Sequence, residues 1–282
     1  MADTPDPVPE TRAARRAARD AARSSVTTVL PALATVRRPV AAGATAAFAG
    51  LAALAAYGDS RLVLAAAIAF LGLVVIRGWH TLLDAPSARG GAIVLVVSLA
   101  ALLVAVLGRD GEPWLEQVPT ALAVGIIATF LHQLVRKDGR ARLSQSIATS
   151  AFGLALLASG VCLLPLTDSV AGAEPATVGL GAVGIAAVVD LLVGPPRRTA
   201  WLMPLSMLVG GLAALALAAA LGGLAAWPLL MGVICAGTSH ALRRVLAVLP
   251  GISSVQGQLT SAAASVLIVG GLIYTVARIL VG

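Results

Sequence analysis

Nine apolar stretches, separated by short polar connections, fill the chain from Val40 almost to its end: about 40–57, 62–76, 92–107, 119–135, 144–166, 176–193, 201–221, 224–240 and 260–280. Each approaches the ~17–25 residues that cross ~30 Å of hydrocarbon at about 1.5 Å per helical residue. The second and third are short, so their boundaries are soft. No run alternates polar and apolar residues at period two over ~10 positions, which argues against a transmembrane barrel. Within lipid a backbone must satisfy its own polar groups, and helices remain. Composition agrees: 59% of the 282 residues are hydrophobic and only 12% charged, against about 25% charged in soluble domains. The expected fold is an all-α polytopic transmembrane helix bundle over 39–282, preceded by a disordered basic tail over 1–38.

Charge decides how the nine helices are threaded. The connections 77–91, 136–143, 194–200 and 241–259, together with the tail, hold seventeen of the twenty basic residues. The alternate connections, 58–61, 108–118, 167–175 and the Gly222-Gly223 turn, carry two basic and six acidic residues. The positive-inside rule then places the N-terminus in the cytoplasm of a cytoplasmic-membrane protein. Dropping one helix would put arginine connections outside, so the alternation supports the count of nine and an external C-terminus.

The tail carries Arg12, Arg15, Arg16, Arg19 and Arg23 at i, i+3, i+4, i+7 and i+11. A helix would set all five on one face with alanines behind, a surface suited to anionic headgroups at about 1 kcal/mol per residue. Arg197, Arg198, Arg243 and Arg244 read as further basic residues at the membrane surface. The expected partners are the bilayer, its anionic headgroups and a membrane-protein partner. Nucleic acid is excluded: the net charge of +7 is spread in pairs over one membrane face without interleaved aromatics. The pattern does not read as a signal peptide, because the first apolar run follows a long charged tail. Cys162 and Cys235 have no metal-type spacing, and no cofactor is expected.

The motifs that carry chemistry elsewhere have plainer readings here. Gly179, Gly181 and Gly184 spell GxGxxG, but inside an apolar helix and not after a strand, so they predict close helix packing. Asp190 is the one carboxylate within an apolar run. A charge at mid-membrane costs at least ~2.5–3.5 kcal/mol, yet Asp190 lies about one turn from the basic edge, where water or an arginine from 194–200 or 241–244 reaches it. It is a candidate functional residue, with an interfacial ion pair as the alternative. His132 and His240, at the ends of the fourth and eighth helices, are the other candidate polar residues, and each also reads as interfacial. His80 and Trp79 read as anchors in the 77–91 connection. Paired catalytic carboxylates, a Walker loop and a nucleophile elbow are absent.

Residues 245–263 read VLAVLPGISSVQGQLTSAA. A Pro-Gly break, two serines and two glutamines suggest an interfacial hinge over 245–259, with Leu246, Val248 and Leu249 at the membrane surface and Thr260 or Ser261 capping the last helix. Over Leu249–Ser261 the stretch resembles the phosphatidate cytidylyltransferase family, whose signature runs L-P-G-H-G-G-x-x-D-R-x-D-S before a final helix. Leu249, Pro250, Gly251 and Ser261 match. Ile252 replaces the His, Ser253-Ser254 the Gly pair, Gly257-Gln258 the Asp-Arg and Thr260 the last Asp. The family condenses CTP with phosphatidic acid through Mg²⁺ held by carboxylates. The resemblance therefore implies a relative that has lost nucleotidyl transfer and keeps a phospholipid groove. More broadly, the chain resembles the Ala-rich, Arg-biased multi-pass membrane proteins common in actinobacteria, a likeness that implies no mechanism. Three functions follow as expectations: a non-enzymatic protein that packs with a partner or binds lipid through its cytoplasmic face, a catalytically degenerate cytidylyltransferase relative, or a transporter of small solutes or lipid.

Overall fold

The computed structural model describes residues 36–136, 142–168, 172–193, 200–223 and 225–280. Among the described residues there is no strand, and nine helical segments are long and apolar enough to cross a membrane. They are α1 (Pro39–Tyr57), α2 (Arg61–Leu82), α3 (Ala88–Leu107), α4 (Val118–Val135), α5 (Leu143–Val161), α6 (Glu174–Ala186), α7 (Leu202–Ala220), α8 (Trp227–Leu246) and a ninth span built from α9 (Val255–Leu267) and α10 (Gly270–Leu280). Short 3₁₀ turns extend α5 at Leu164–Thr167 and α6 at Ala187–Leu192. The protein is an all-α polytopic bundle, as the nine apolar stretches predict. The tail arginines Arg12, Arg15, Arg16, Arg19 and Arg23, and Arg197 and Arg198, lie outside the described residues.

Local sequence starts these helices. Proline occupies the first turn of α1, α4, α6 and α8, where its missing donor is no loss. Ser60 caps α2 by accepting from Val63 N. No side chain of α1's own caps it, but Gln258 Oε1 of α9 accepts from Ala41 N at 3.3 Å.

Contacts between connections define two faces. At one, Arg61 at the start of α2 bonds the Arg109 carbonyl at 2.8 Å, pairs with Asp168 at 3.3 Å and lies 5.0 Å from the Trp114 ring centre. Arg278 pairs there with Glu112. At the other, Arg37 Nε donates to Val193 O at 2.8 Å and Arg38 Nη1 to Ile252 O at 3.2 Å. Arg142 pairs with Asp84 at that face, and Gln145 donates to Leu83 O. The grouping is the one the charge pattern predicts.

Between the faces, α2 packs against α9, α3, α1 and α5, and α6 packs against α1, α7 and α8. Lipid tails leave little hydrophobic drive between helices, so small residues that bring backbones together carry the packing. Gly210 of α7 faces Gly232 of α8, and a Cβ on Gly210 would sit 2.8 Å from the Gly232 carbonyl. The three glycines of the GxGxxG match serve the same purpose: Gly179 abuts Ile273, Gly181 abuts Leu217, and Gly184 abuts Ala46 and Ala49.

Two connections differ from the sequence reading. The 77–91 stretch is not a loop: α2 runs to Leu82 and α3 starts at Ala88. Arg77, Trp79 and His80 lower the hydropathy of that last turn, but Trp79 and His80 are received by neighbouring helices and Arg77 stays exposed. Trp79 is fully buried rather than an interface anchor, donating through Nε1 to Thr149 O at 2.8 Å and meeting Phe152 edge-on. His80 is buried too. The 241–259 stretch is also shorter than expected. The helix α8 continues to Leu246, a 3₁₀ turn covers Pro250–Ser253, and α9 opens at Val255. Ser254 caps α9 by accepting from Gly257 N at 3.0 Å, whereas Thr260 and Ser261 are buried inside that helix. Leu246 is likewise buried. The segment is not a loose hinge. A Cβ on Gly251 would meet Leu82 Cα at 2.7 Å, and Gly257 packs on the Gly251 carbonyl.

The ninth span is interrupted halfway, at Ile268-Val269. A helix break in lipid requires partners for the freed backbone groups. Ser159 of α5 supplies both, donating to Ile268 O at 2.8 Å and accepting from Gly271 N at 3.0 Å. Gly270 lets the two backbones approach, since any Cβ there would strike the Ser159 carbonyl. Ser159→Ala is expected to destabilise the folded protein by about 1–3 kcal/mol through the two lost bonds. Unfolding in mixed micelles measures this, and wild-type stability would show that the break is satisfied in another way.

Candidate functional site

The main polar cluster of the bundle forms where span six meets α8 and α9. The α-helix of span six tightens into a 3₁₀ turn at Ala187–Leu192, and this turn carries Asp190 toward α8. His240 Nδ1 donates to Asp190 Oδ1 at 2.7 Å, and Arg243 Nε donates to Asp190 Oδ2 at 2.5 Å. An ionised carboxylate only accepts, so the proton shared with His240 rests on Nδ1. Arg243 Nη1 also donates to Ser239 Oγ at 2.6 Å and to Ser265 Oγ of α9 at 3.2 Å. Spacing explains the convergence: Ser239, His240 and Arg243 stand at i, i+1 and i+4 on α8, so 239 and 240 both flank 243 on one face.

Burial makes this a high-energy arrangement. The Arg243 side chain is 5% exposed, that of His240 2% and that of Asp190 13%. Arg243, which the sequence reads as a basic residue at the membrane surface, is therefore buried among the helices rather than exposed at the end of α8. It turns inward because Asp190 neutralises it and two serine hydroxyls solvate it. Removing one member of such a pair leaves an uncompensated buried charge, at a cost of about 3–5 kcal/mol.

Beside the cluster lies a crevice of about 30 Å³ at the face that carries the N-terminal side of α1. Arg38, Asp190, Arg243, Arg244 and Ser261 line it, with Val36 exposed at its rim. Three arginines and one carboxylate thus line it. Two of their donors have no protein partner: Arg38 Nε and Arg243 Nη2 are both buried and unbonded. Burial also lowers the pKa of the Arg38 guanidinium, as expected where solvent is lost without a carboxylate to replace it. Such a lining suits an anion. Among the described residues, no group of three or more His, Cys, Asp and Glu side chains is placed to hold a metal ion.

The structure joins two of the three candidate polar residues, Asp190 and His240. His132 stands apart on α4, with Nε2 3.2 Å from Ser87 Oγ. Its neighbour Gln133 is buried, donating to Ser146 Oγ at 2.8 Å and accepting from Arg136 at 2.9 Å. Arg38, Ser239 and Ser265 are the members that sequence reasoning missed. The serine at 239 was legible in principle, as an i−4 neighbour of Arg243, once α8 is drawn past His240. Arg38 and Ser265 come from distant segments and leave no local signal.

Asp190→Asn should destabilise the bundle by about 3–5 kcal/mol, and adding Arg243→Met should restore most of that loss. Thermal unfolding of the two single variants and the double variant reads the coupling. Additive losses would mean that the pair is not the source of the cost.

Comparison of the chain with protein-family models, with curated proteins and with solved structures finds no match.

Proposed function

We propose that the protein is a non-enzymatic integral protein of the cytoplasmic membrane, N-terminus inside, that binds lipid through its cytoplasmic face. The observation that carries this reading is the crevice where Arg38, Arg243 and Arg244 outnumber Asp190. It lies level with the ends of the spans, where headgroup phosphates sit. The orientation rests on the seventeen basic residues of that side and on the positive-inside rule.

The same residues argue against the enzymatic alternative. The carboxylate of Asp190 is already engaged by Arg243 and His240. At the two positions where the cytidylyltransferase signature needs carboxylates, Gly257 packs on Gly251 and Thr260 is buried against the Val74 carbonyl, while Gln258, at the arginine position, caps α1. None can hold a divalent cation against a triphosphate. The transport alternative draws on the interrupted ninth span, since broken helices line many transporter sites. Ser159 and Gly270 already fill that interruption.

Two measurements test the reading. In a background lacking Cys162 and Cys235, Asp110→Cys should be labelled by an impermeant reagent on intact cells, and Val255→Cys only after permeabilisation. The reverse pattern would overturn the orientation. Protein purified in mild detergent should retain phospholipid in native mass spectra and form no CDP-diacylglycerol from CTP, Mg²⁺ and phosphatidic acid. Product formation abolished by Gln258→Ala would revive the enzyme, and protein stripped of all lipid would remove the binding role.

A further inference from the structure

We propose that the crevice beside Asp190 is a specific site for a phosphate oxyanion, bound by Arg38, Arg243 and Arg244 at the end of span six. The inference rests on the lipid-binding reading and names the chemical group that this face selects.

Arg243 leaves one buried donor unsatisfied. Arg243 carries five N–H donors in a fixed fork. Its Nε is committed to Asp190 and its Nη1 to Ser239 and Ser265. Its Nη2 is buried without a partner, on a side chain 5% exposed. A buried charged donor left unbonded is costly, and proteins seldom tolerate one without a ligand or water to fill it. Arg38 repeats the pattern from another segment. Its Nη1 holds the Ile252 carbonyl at 3.2 Å, and its Nε is buried and unbonded. Both residues line the one crevice.

Size and charge define the occupant. A cavity of about 30 Å³ exceeds the ~10–15 Å³ that one water requires. It admits two oxygen-sized atoms and not a whole headgroup, so a phosphate can insert two oxygens and leave its ester groups outside. One carboxylate against three guanidinium groups leaves a net charge of +2, which disfavours a cation and favours an anion over a zwitterion. Arginine forks match phosphate oxygens in pairs. Asp190 does not close the site to anions, because both of its oxygens are occupied by His240 and Arg243. It acts as a positioning residue that anchors the Arg243 fork through Nε. Ser261, buried at 1% exposure, adds a hydroxyl to the lining.

A phosphate can come from a phospholipid headgroup or from solution, and the test separates the two. The full chain in zwitterionic detergent is titrated with dihexanoyl phosphatidylglycerol, dihexanoyl phosphatidylcholine and sodium phosphate, with calorimetry as the readout. Phosphatidylglycerol is expected to bind at least roughly tenfold more tightly than phosphatidylcholine, from the added charge-assisted bonds. Arg38→Gln and Arg244→Gln should each weaken it by roughly tenfold or more. Arg89→Gln, an exposed arginine of the same face, should change it by less than about twofold if contact rather than general field is responsible. Equal affinity for sodium phosphate, still lost in Arg38→Gln, supports the oxyanion site with a free anion as its source and removes the lipid role. Lipid binding that ignores headgroup charge and both substitutions overturns the site while leaving a lipid-binding face. Because Arg38 and Arg244 are only half-buried, their variants keep the test open if Arg243→Gln fails to fold.

Discussion

The ion pair between Asp190 and Arg243 sets the position of three spans at once. Asp190 belongs to span six, Arg243 to α8, and the Ser265 hydroxyl that receives the same guanidinium to α9. In a bilayer such charges persist only when matched, so the pair fixes both the depth of α8 and its rotation about its axis. It also explains why span six ends in a 3₁₀ turn: the tighter winding delivers the carboxylate to the helix that carries its partners. Around this centre the chain closes by backbone contacts. Arg37 reaches Val193, Arg38 reaches Ile252, and Gln258 caps α1. The first span, the end of the sixth and the entry to the ninth are thereby held in one assembly.

The two faces handle charge in opposite ways. On the acidic face Arg61, Arg109 and Arg278 are each matched by a carboxylate, Asp168, Glu116 and Glu112, and further carboxylates are left over. Several of these pairs are well exposed and add little to stability. On the other face arginines exceed carboxylates, and part of the surplus is buried. A surplus that is buried and short of partners differs physically from a basic surface. It carries a directional demand for acceptors, and that demand is what the proposed phosphate site meets.

Packing elsewhere follows the rule of membranes. With hydrocarbon both inside and outside the bundle, close backbone approach replaces hydrophobic burial as the source of specificity. The alanine-rich composition is then a consequence of fold. Glycine brings backbone onto backbone at Gly210 on Gly232, Gly251 on Leu82, and Gly270 on Ser159.

The class of fold, the nine long apolar helices among the described residues and the grouping of connections into a basic and an acidic side were legible in the sequence, because hydropathy and charge act locally and lipid permits few alternatives. Asp190 was legible as an anomaly for the same reason, as was the reach of an arginine from 241–244. Helix ends were less so. A hydropathy reading stops α2 at Ile76 and α8 at His240, whereas Trp79, His80 and Arg243 continue their helices because other spans supply bonds or close packing. Tertiary structure alone decided that Arg243 points inward, that Arg38 and Ser265 join it, and that Ser159 mends the ninth span. These contacts join residues up to 214 positions apart. Pairing at that range depends on how spans rotate against one another, which no single stretch of sequence records.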